Sequence, residues 1–364
     1  MATELAWPTS CAPGAYWNRE ADQDLVCVDV RAETHDVKTF TFRAREERYF
    51  SFTAGQYFLF ELDIDGEAHS RCYSVSSSPL VPRAIAITVK RVEGGKVSNW
   101  LHDHLAPGST LRATGASGTF TLPAQADTPL LLVSGGSGIT PVMSMVRALA
   151  DARRYPDVVF LHAARTPADL VFRDELLYRA KTTPNFRLLF LPERAGDEPG
   201  YTGVTGRVSE ALLKVAVPDL AQRTVMCCGP APFMKAVREL ALALGVPAGR
   251  YFEESFDAAV LDEEGAAPAA AAAAEAAATF KVSFAKQDKC IAVGAEQSVL
   301  AAARQAGVRL PSSCSNGLCG TCKSKLVSGS VDMKHNGGIR QREVDAGFFL
   351  PCCSRPLSDL VIDR

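Results

Sequence analysis

Hydrophobic and polar residues alternate in short runs through the first third of the chain. Each run places apolar side chains at every second position, and glycine or proline separates it from the next. A two-residue period is that of a strand with one buried face. The pattern predicts an antiparallel sheet or barrel over residues 24–125, preceded by an arm, residues 1–23, that packs against it. The predicted strands are DLVCVDVRA (24–32), VKTFTFRA (37–44), YFLFELDID (57–65) and AIAITVKRV (84–92).

From about residue 128 the pattern changes to apolar strand, loop and amphipathic helix. Continuously apolar strands that alternate with helices are typical of a parallel, doubly wound α/β sheet. We expect this domain to cover residues 126–257. Its predicted segments are PLLLVSGGSGITPVMSMVRALA (129–150), DVVFLHAAR (157–165), FRLLFLP (186–192) and TVMCCGPAPFMKAVRELALAL (224–244).

An alanine-rich stretch, LDEEGAAPAAAAAAEAAATF (261–280), interrupts both patterns. A helix in its alanine run would have no apolar stripe to bury, because almost every position is the same residue. The composition therefore predicts a linker over residues 258–278 rather than a packed helix. A third domain then follows, over residues 279–364.

Composition narrows the functional classes. Of 364 residues, 47% are hydrophobic and 22% are charged, and the net charge of −2 offers no basic face for nucleic acid. The chain has no run of 18 apolar residues and no signal-peptide pattern at its start, so we expect no membrane span and predict a cytoplasmic protein. Eleven cysteines in a reducing compartment suit metal or redox chemistry better than disulfides.

Five of those cysteines form one pattern. Cys314, Cys319 and Cys322 have the spacing C-x4-C-x2-C, and the adjacent pair Cys352 and Cys353 begins 30 residues after the third of them. Structural zinc sites favour paired C-x2-C motifs, whereas a plant-type [2Fe–2S] cluster uses the spacing found here with one distant fourth ligand. The pattern favours a [2Fe–2S] cluster over zinc and offers two candidates for the fourth ligand.

Two segments of the third domain, SVLAAARQAGVRLPSSCSNGLCGTCKSKLVSG (298–329) and CCSRPLSDLVID (352–363), resemble plant-type ferredoxins. The resemblance covers the whole domain and implies an α+β, β-grasp fold. In that family the fourth ligand precedes a proline by four positions; here that proline is Pro356, which selects Cys352 and leaves Cys353 as a buried neighbour. The implied ligand set is Cys314, Cys319, Cys322 and Cys352.

The segment RCYSVSSSP (71–79) resembles the R-x-Y-S motif of ferredoxin reductase-type flavin barrels. The resemblance assigns Arg71 to a flavin phosphate, Tyr73 to stacking on the isoalloxazine ring, and Ser74 to a hydrogen bond with flavin N5. A forked guanidinium, an aromatic face and a hydroxyl are chemically suited to these roles. A barrel of this kind would supply the electrons that a ferredoxin-like cluster passes on.

A second flavin segment, GGKVSNWLHDHLAPGSTL (94–111), follows at the distance expected in the same family. Its turn and helix start resemble the pyrophosphate-binding site of FAD, where free backbone N–H groups and the helix dipole attract phosphate. FMN-only relatives differ most in this segment, so FAD is favoured over FMN. The implied flavin contacts here and on the preceding strand are Val89, Gly95, Val97 and Ser98.

The turn VSGGSGITP (133–141) ends a predicted strand and opens a helix, but it is not the G-x-G-x-x-G fingerprint of dehydrogenase-type Rossmann domains. In the reductase family a G-x-G-x-T-P turn approaches the nicotinamide dinucleotide. The resemblance therefore assigns Gly136, Gly138 and Thr140 to nucleotide binding.

Two later motifs, CCGPAPFM (227–234) and YFEESF (251–256), extend this resemblance. The first implies that a cysteine lies beside the nicotinamide C4. The second resembles the terminal E-x-F of the family and selects Glu254, although the adjacent Glu253 leaves the register open. The implied nucleotide contacts are Cys228, Gly229, Pro230 and Phe256. The implied catalytic residues are Ser74, Cys228 and Glu254.

Arg165 lies just past a predicted strand, where an arginine could hold the 2′-phosphate of NADPH. A surface arginine before a turn is an equally simple interpretation. We favour NADH as the electron donor, with NADPH as the alternative.

The order of flavin barrel, nucleotide domain, linker and ferredoxin resembles phthalate dioxygenase reductase-like proteins. The segment HNGGIRQREVDAGFFLPCCSRPLSDLVID (335–363) is similar to reductase components of Rieske oxygenases that act on quaternary amines such as glycine betaine or carnitine. The resemblance implies an enzyme that takes hydride from NAD(P)H and passes single electrons to a Rieske-type oxygenase. One alternative is an NADH reductase of a hybrid-cluster protein; another, outside the enzymes, is a zinc-stapled nucleotide-sensing module.

Overall fold

A computed structural model of the chain describes the following residues: 16–19, 21, 23–123, 128–196, 201–256, 279–287, 289–308, 310, 317, 320, 322–335 and 338–364. The predicted linker and most of the predicted arm lie outside them. The chain divides into two compact units. The larger unit comprises Met1–Gly229 and Ala236–Glu254, and the smaller unit comprises Pro230–Lys235 and Ser255–Arg364.

The first part of the larger unit is an antiparallel barrel. Its elements are β1 (Gln23–Thr34), β2 (Val37–Ala44), β3 (Tyr57–Ile64), β4 (Glu67–Ser74), β5 (Ile85–Lys90), α1 (Lys96–His104) and β6 (Thr110–Ser117). Neighbouring strands pair antiparallel in the order β4-β3-β6-β1-β2-β5. A bridge between Val75 and Ile87 joins the two ends of this order and closes the sheet. The predicted antiparallel barrel is confirmed.

Alternate positions of these strands fill the barrel with aromatic rings. Phe40 and Phe42 of β2 and Phe58 and Phe60 of β3 are all fully buried in one core, and each such ring contributes about 1.5–3 kcal/mol by leaving water. Trp17, in the described part of the arm, is buried in the same core, with its ring centroid 6.0 Å from that of Phe58. The short chain segment before β1 therefore packs on the barrel.

The parallel sheet follows along the chain. Its elements are β7 (Leu130–Gly135), α2 (Ile139–Asp151), β8 (Val158–Ala164), α3 (Arg173–Thr182), β9 (Phe186–Pro192), α4 (Glu210–Ala216), β10 (Thr224–Cys228), α5 (Ala231–Ala243) and β11 (Tyr251–Glu254). The strands are all parallel, in the order β11-β10-β7-β8-β9, which confirms the predicted α/β sheet. The strand order reverses between β7 and β10, and doubly wound sheets bind ligands at the carboxyl ends of strands at such a point.

The smaller unit is an α+β fold, as predicted. Its elements from residue 279 onward are β12 (Thr279–Phe284), β13 (Lys289–Gly294), α6 (Val299–Gln305), β14 (Ser324–Ser328), β15 (Val331–Met333), α7 (Gln341–Asp345), β16 (Phe348–Phe349), β17 (Ser354–Pro356) and β18 (Leu360–Ile362). Five strands form a mixed sheet in the order β13-β12-β18-β14-β16, and β15 pairs with β17. Val282, Phe284, Val299 and Phe349 pack in its core. None of the described helices in either unit has the length and apolarity needed to cross a bilayer.

Candidate functional site

Strand β4 carries the three residues of the R-x-Y-S motif, Arg71, Tyr73 and Ser74. Tyr73 packs its ring against the edge of Phe60, with centroids 5.9 Å apart, and burial raises the pKa of its phenol. The guanidinium of Arg71 donates to the Ser70 carbonyl at 2.8 Å and forms no ion pair with a described residue. That cation can therefore still bind a phosphate. Ser74 is buried at the carboxyl end of the strand.

The start of α1 matches the predicted pyrophosphate site. A Cβ on Gly95 would lie 2.7 Å from the Ser98 hydroxyl, so only glycine fits this turn without a shift. The Ser98 hydroxyl accepts the N–H of Val92 at 3.1 Å and closes the turn before the helix. The first backbone N–H groups of a helix have no partner within it and are suited to bind phosphate oxygens.

Two predicted flavin contacts, Val89 and Val97, have their side chains in the barrel core. The Val89 carbonyl, moreover, lies 2.8 Å from Nε2 of His102. These residues therefore shape the site by packing and can reach a cofactor only through backbone groups. The resemblance selected these two positions as flavin contacts, whereas the structure shows their apolar side chains packed in the barrel core.

The glycine turn between β7 and α2 is pressed against the end of β10. A Cβ on Gly138 would lie 2.3 Å from the carbonyl oxygen of Cys228, a distance that real Cβ atoms essentially never show. Gly136 has a φ of +53°, in the left-handed region that favours glycine. Thr140, predicted to bind the nucleotide, donates its hydroxyl to the Ser137 carbonyl at 3.1 Å and so stabilises the turn itself.

The three predicted catalytic residues converge from distant parts of the chain. Ser74 donates its hydroxyl to Oε2 of Glu254 at 3.3 Å, across 180 positions of sequence. Cys228 is the register partner of Glu254 on the neighbouring strand, and all three side chains are buried. Of the adjacent acidic pair, Glu253 instead pairs with Arg238. The contact joins the flavin motif of the barrel to the last strand of the parallel sheet.

Burial dominates the electrostatics of Glu254. Loss of water around the carboxyl raises its pKa to about 8, against a smaller lowering from the Ser74 hydroxyl. The folded-state pKa thus lies above the ordinary value of 4.5. The associated contribution to stability is fully present below that ordinary value and is lost as the pH rises through about 8. At neutral pH the carboxyl holds a proton inside the site.

We expect flavin reduction by NADH to slow as the pH rises through about 8, the pKa of Glu254. Above that pH the carboxylate would be charged next to Ser74, the residue predicted to contact flavin N5, and like charges repel strongly where water is excluded, so transfer of a negatively charged hydride to N5 would be opposed. Glu254→Gln stays neutral and should lose this decline. Stopped-flow rates from about pH 6 to about pH 10 provide the test. A decline centred near 8 in both proteins would show that another group titrates.

The smaller unit brings together two of the predicted cluster ligands. The sulfurs of Cys322 and Cys352 lie 3.2 Å apart and are buried, and the N–H of Gly317 donates to the Cys352 sulfur at 3.2 Å. Backbone N–H groups directed at sulfur are a feature of iron–sulfur sites. The donor set therefore fits a [2Fe–2S] cluster. The other two predicted ligands, Cys314 and Cys319, lie outside the described residues.

The adjacent thiol, Cys353, is oriented differently. Its sulfur lies 3.6 Å from the Leu350 carbonyl, to which it donates. A Cβ on Gly317 would lie 2.6 Å from this sulfur, so Cys353 packs against Gly317 and leaves room for no larger residue there. This geometry supports Cys352 as the ligand and Cys353 as its packing neighbour.

The remaining predicted contacts differ in their surroundings. Arg165 is 60% exposed and forms ion pairs with Asp36 at 3.3 Å and Asp169 at 3.0 Å. Gly229 is buried directly after β10, whereas Pro230 is exposed. Phe256 belongs to the smaller unit and is 41% exposed.

Sequence reasoning missed two polar residues of α2, Ser144 and Arg147, which both donate hydrogen bonds to backbone carbonyls of the barrel. Their signal was present in the sequence. Both are polar, and the residues next to each of them in the helix are apolar. Residues three positions apart in a helix lie on the same face.

Three family models match the chain in succession. An oxidoreductase FAD-binding domain matches residues 25–122, an oxidoreductase NAD-binding domain matches residues 132–239, and a 2Fe-2S iron–sulfur cluster binding domain matches residues 284–357. Their order is that of the barrel, the parallel sheet and the smaller unit.

Individual proteins match over nearly their full length. A glycine betaine monooxygenase reductase subunit of Chromohalobacter salexigens is 43% identical over 346 residues, 93% of this chain and 94% of that protein. A stachydrine N-demethylase reductase subunit of Rhizobium meliloti is 36% identical and covers 94% of this chain and 96% of its own. Among solved structures, phthalate dioxygenase reductase matches with a TM-score of 0.57 and 25% identity, over 94% of this chain and 98% of that one.

Proposed function

The chain belongs to the family of iron–sulfur flavoprotein reductases that includes the glycine betaine monooxygenase reductase subunits, and from this premise we propose that its acceptor is a Rieske-type oxygenase acting on a quaternary amine. It is an NAD(P)H-dependent oxidoreductase with an FAD-binding domain, an NAD-binding domain and a [2Fe–2S] domain. The 43% identity over 346 residues with the glycine betaine monooxygenase reductase subunit supports this proposal. Glycine betaine, or a related N-methylated amine, is the proposed substrate of the partner.

The roles proposed for individual residues follow from the site. When bound, FAD supplies the change from two-electron to one-electron transfer, and the cluster carries the single electrons. Arg71 and Tyr73 bind the flavin, and Gly138 lets the nucleotide turn approach Cys228. The Ser74 hydroxyl donates to Oε2 of the Glu254 carboxyl, which carries a proton of its own at neutral pH, and both buried groups exclude water from this part of the site. The protein thus supplies orientation and a controlled charge rather than a general base.

We propose NADH as the preferred donor because the arginine that could bind a 2′-phosphate is already neutralised. Arg165 lies two residues beyond Ala163, the register partner of Gly135, where the glycine turn begins. The carboxylates of Asp169 and of Asp36, which is shared with Lys90 at 3.1 Å, already occupy this guanidinium and would compete with the dianionic phosphate of NADPH for it. A ribose hydroxyl carries no charge and would not enter that competition. Asp36 comes from the turn between β1 and β2, so the barrel contributes to nucleotide selection.

Asp36→Asn is expected to raise kcat/KM for NADPH about tenfold, equivalent to about 1.4 kcal/mol, while kcat/KM for NADH stays within about twofold. The substitution removes one of the two carboxylates that neutralise Arg165. Asp151→Asn is the matched control, because it changes net charge equally and its exposed carboxylate contacts neither Arg165 nor another described cation. Steady-state kinetics with both nucleotides give the ratio. An equal change in both variants would attribute the effect to net charge alone.

Reconstitution with candidate acceptors tests the proposed partner. The purified reductase is combined with oxygenase components that act on glycine betaine, stachydrine or carnitine, and separately with a hybrid-cluster protein. We expect NADH consumption that depends on the quaternary amine, with release of formaldehyde where the oxygenase removes an N-methyl group. Rapid reduction of the hybrid-cluster protein, with no turnover by any of the oxygenases, would favour the alternative acceptor.

We further propose that the protein functions in the cytoplasm. Its eleven cysteines include the predicted cluster ligands, whose thiolates must stay reduced to bind iron. Fractionation of cells that produce the protein would test this, and recovery of the holoprotein outside the cytoplasm would contradict it.

A further inference from the structure

Helix α2 connects the two halves of the proposed active site. It begins at the glycine turn assigned to the nucleotide, and most of its residues are buried apolar side chains. Beyond its first turn, two polar side chains interrupt that surface, Ser144 and Arg147. Because they are three residues apart in the helix, they project from the same face.

Both side chains bond to the barrel segment that immediately follows the flavin motif. The Ser144 hydroxyl donates to the Ser77 carbonyl at 2.7 Å, and Nη1 of Arg147 donates to the Ser76 carbonyl at 2.7 Å. The two carbonyls are consecutive and begin two residues after Ser74. The helix that starts at the glycine turn is therefore tied by two hydrogen bonds to the segment that carries the residue assigned to flavin N5.

Two further residues, Glu175 and Phe172, fix the position of the Arg147 guanidinium. Its Nε and Nη2 atoms donate to the Glu175 carboxylate at 3.1 and 2.5 Å, a bidentate pairing, and its guanidinium lies 4.6 Å above the ring of Phe172. The Arg147 side chain is only 14% exposed. A planar guanidinium fixed by a carboxylate and a ring has little freedom left, so its bond to Ser76 has a defined length and direction.

We propose that Arg147 is a positioning residue for hydride transfer: by tying α2 to the Ser76 carbonyl, it fixes the distance between the bound nicotinamide and the flavin. The proposal rests on the assignment of the flavin motif and the glycine turn, and it does not depend on the identity of the acceptor. In the step concerned, the nicotinamide C4–H bond breaks and its hydride, carrying two electrons, passes to flavin N5. Geometry controls that step, since a misplacement of about 1 Å can cost about 100-fold in rate.

The test compares Arg147→Met with Arg179→Met. Arg179 pairs with the same carboxylate, Glu175, at 2.7 and 2.9 Å and is similarly buried, at 17% side-chain exposure. Each substitution removes one arginine from Glu175, but only the first removes the bond to Ser76. Anaerobic stopped-flow measurements of flavin reduction by NADH, without any oxygenase, isolate the hydride step.

Arg147→Met is expected to slow flavin reduction about 10–100-fold. The deuterium isotope effect measured with 4-deuterated NADH should be larger than in the wild type. The long-wavelength charge-transfer band of the nicotinamide–flavin complex should be weaker. Flavin content and flavin potential should not change. Arg147→Lys, which keeps the charge but cannot form the fork, should restore part of the rate. Arg179→Met should reduce flavin within about twofold of the wild-type rate.

A readout that needs no turnover completes the test. Hydrogen–deuterium exchange of the peptide spanning residues 71–80 should be faster in Arg147→Met than in Arg179→Met, because only the first removes one of the two hydrogen bonds between this segment and α2. If Arg147→Met is too unstable to purify, Ser144→Ala removes the neighbouring bond and should give the same pattern with a smaller effect. Equal slowing in the Arg147 and Arg179 variants, or loss of flavin as the sole defect, would overturn the proposal.

Discussion

Replacing Cys352 with serine is expected to remove the [2Fe–2S] cluster and all electron delivery to an oxygenase, while flavin reduction by NADH stays within about twofold of wild type. The Cys352 sulfur lies 3.2 Å from that of Cys322 in a buried position, and it receives the N–H of Gly317. A serine hydroxyl keeps the size of the side chain but is a hard ligand that does not replace a soft thiolate. Iron content and the visible spectrum of the purified variant measure the loss.

Cys353→Ser is the matched control for that experiment. The two positions are adjacent and both are cysteine, but the Cys353 sulfur is directed at the Leu350 carbonyl. This variant is therefore expected to keep its iron and its delivery rate, since a serine hydroxyl can donate to the same carbonyl. Retention of the cluster in Cys352→Ser together with its loss in Cys353→Ser would reverse the assignment.

Gly138→Ala is expected to lower kcat/KM for NADH about 100-fold without loss of the flavin or the cluster. The added Cβ would lie 2.3 Å from the Cys228 carbonyl oxygen, 2.4 Å from its carbon and 2.5 Å from the Gly229 nitrogen. These are backbone atoms that cannot rotate away, so the turn must move by about 1 Å to reach ordinary contact. The φ of Gly138 is −63°, which alanine adopts freely, so the effect is purely steric.

Gly249→Ala separates this effect from a general cost of adding a methyl group. Gly249 is exposed, and its Cβ would meet no atom within 4 Å. We expect wild-type kinetics from this variant. NAD⁺ affinity, measured by the shift in the flavin spectrum, should weaken only in Gly138→Ala. If both variants reduced flavin at the wild-type rate, the close approach of the turn to Cys228 would have no role in the reaction.

Much of the fold follows from local sequence pattern, because alternation reports which face of a strand is buried. The run VKTFTFRA predicted β2, whose inward positions Phe40 and Phe42 lie in the barrel core. The apolar run that became β7 predicted a strand buried on both faces. The cysteine spacing likewise predicted a cluster, because ligand spacing is a local property of the chain.

Contacts between distant segments were less predictable. Resemblance selected Ser74 and Glu254 separately, but the hydrogen bond between them spans 180 positions and depends on how the barrel meets the parallel sheet. Thr140 was expected to bind the nucleotide, yet its hydroxyl donates to its own turn. Arg147 belongs to no sequence motif, because its partners come from the barrel and from α3, which are distant from it along the chain. The helical period shows that a polar side chain lies on an apolar face of the helix, but it does not show which residue that side chain contacts.

One chain takes electron pairs from NAD(P)H at its flavin and passes them singly to its own cluster. Anaerobic addition of NADH to the purified holoprotein, followed by electron paramagnetic resonance at low temperature, tests this transfer most directly. We predict that the flavin absorbance bleaches and that the signal of a reduced [2Fe–2S] cluster appears, with an intensity that matches the iron content. A bleached flavin with no paramagnetic iron, in protein that contains its full complement of iron, would contradict the account.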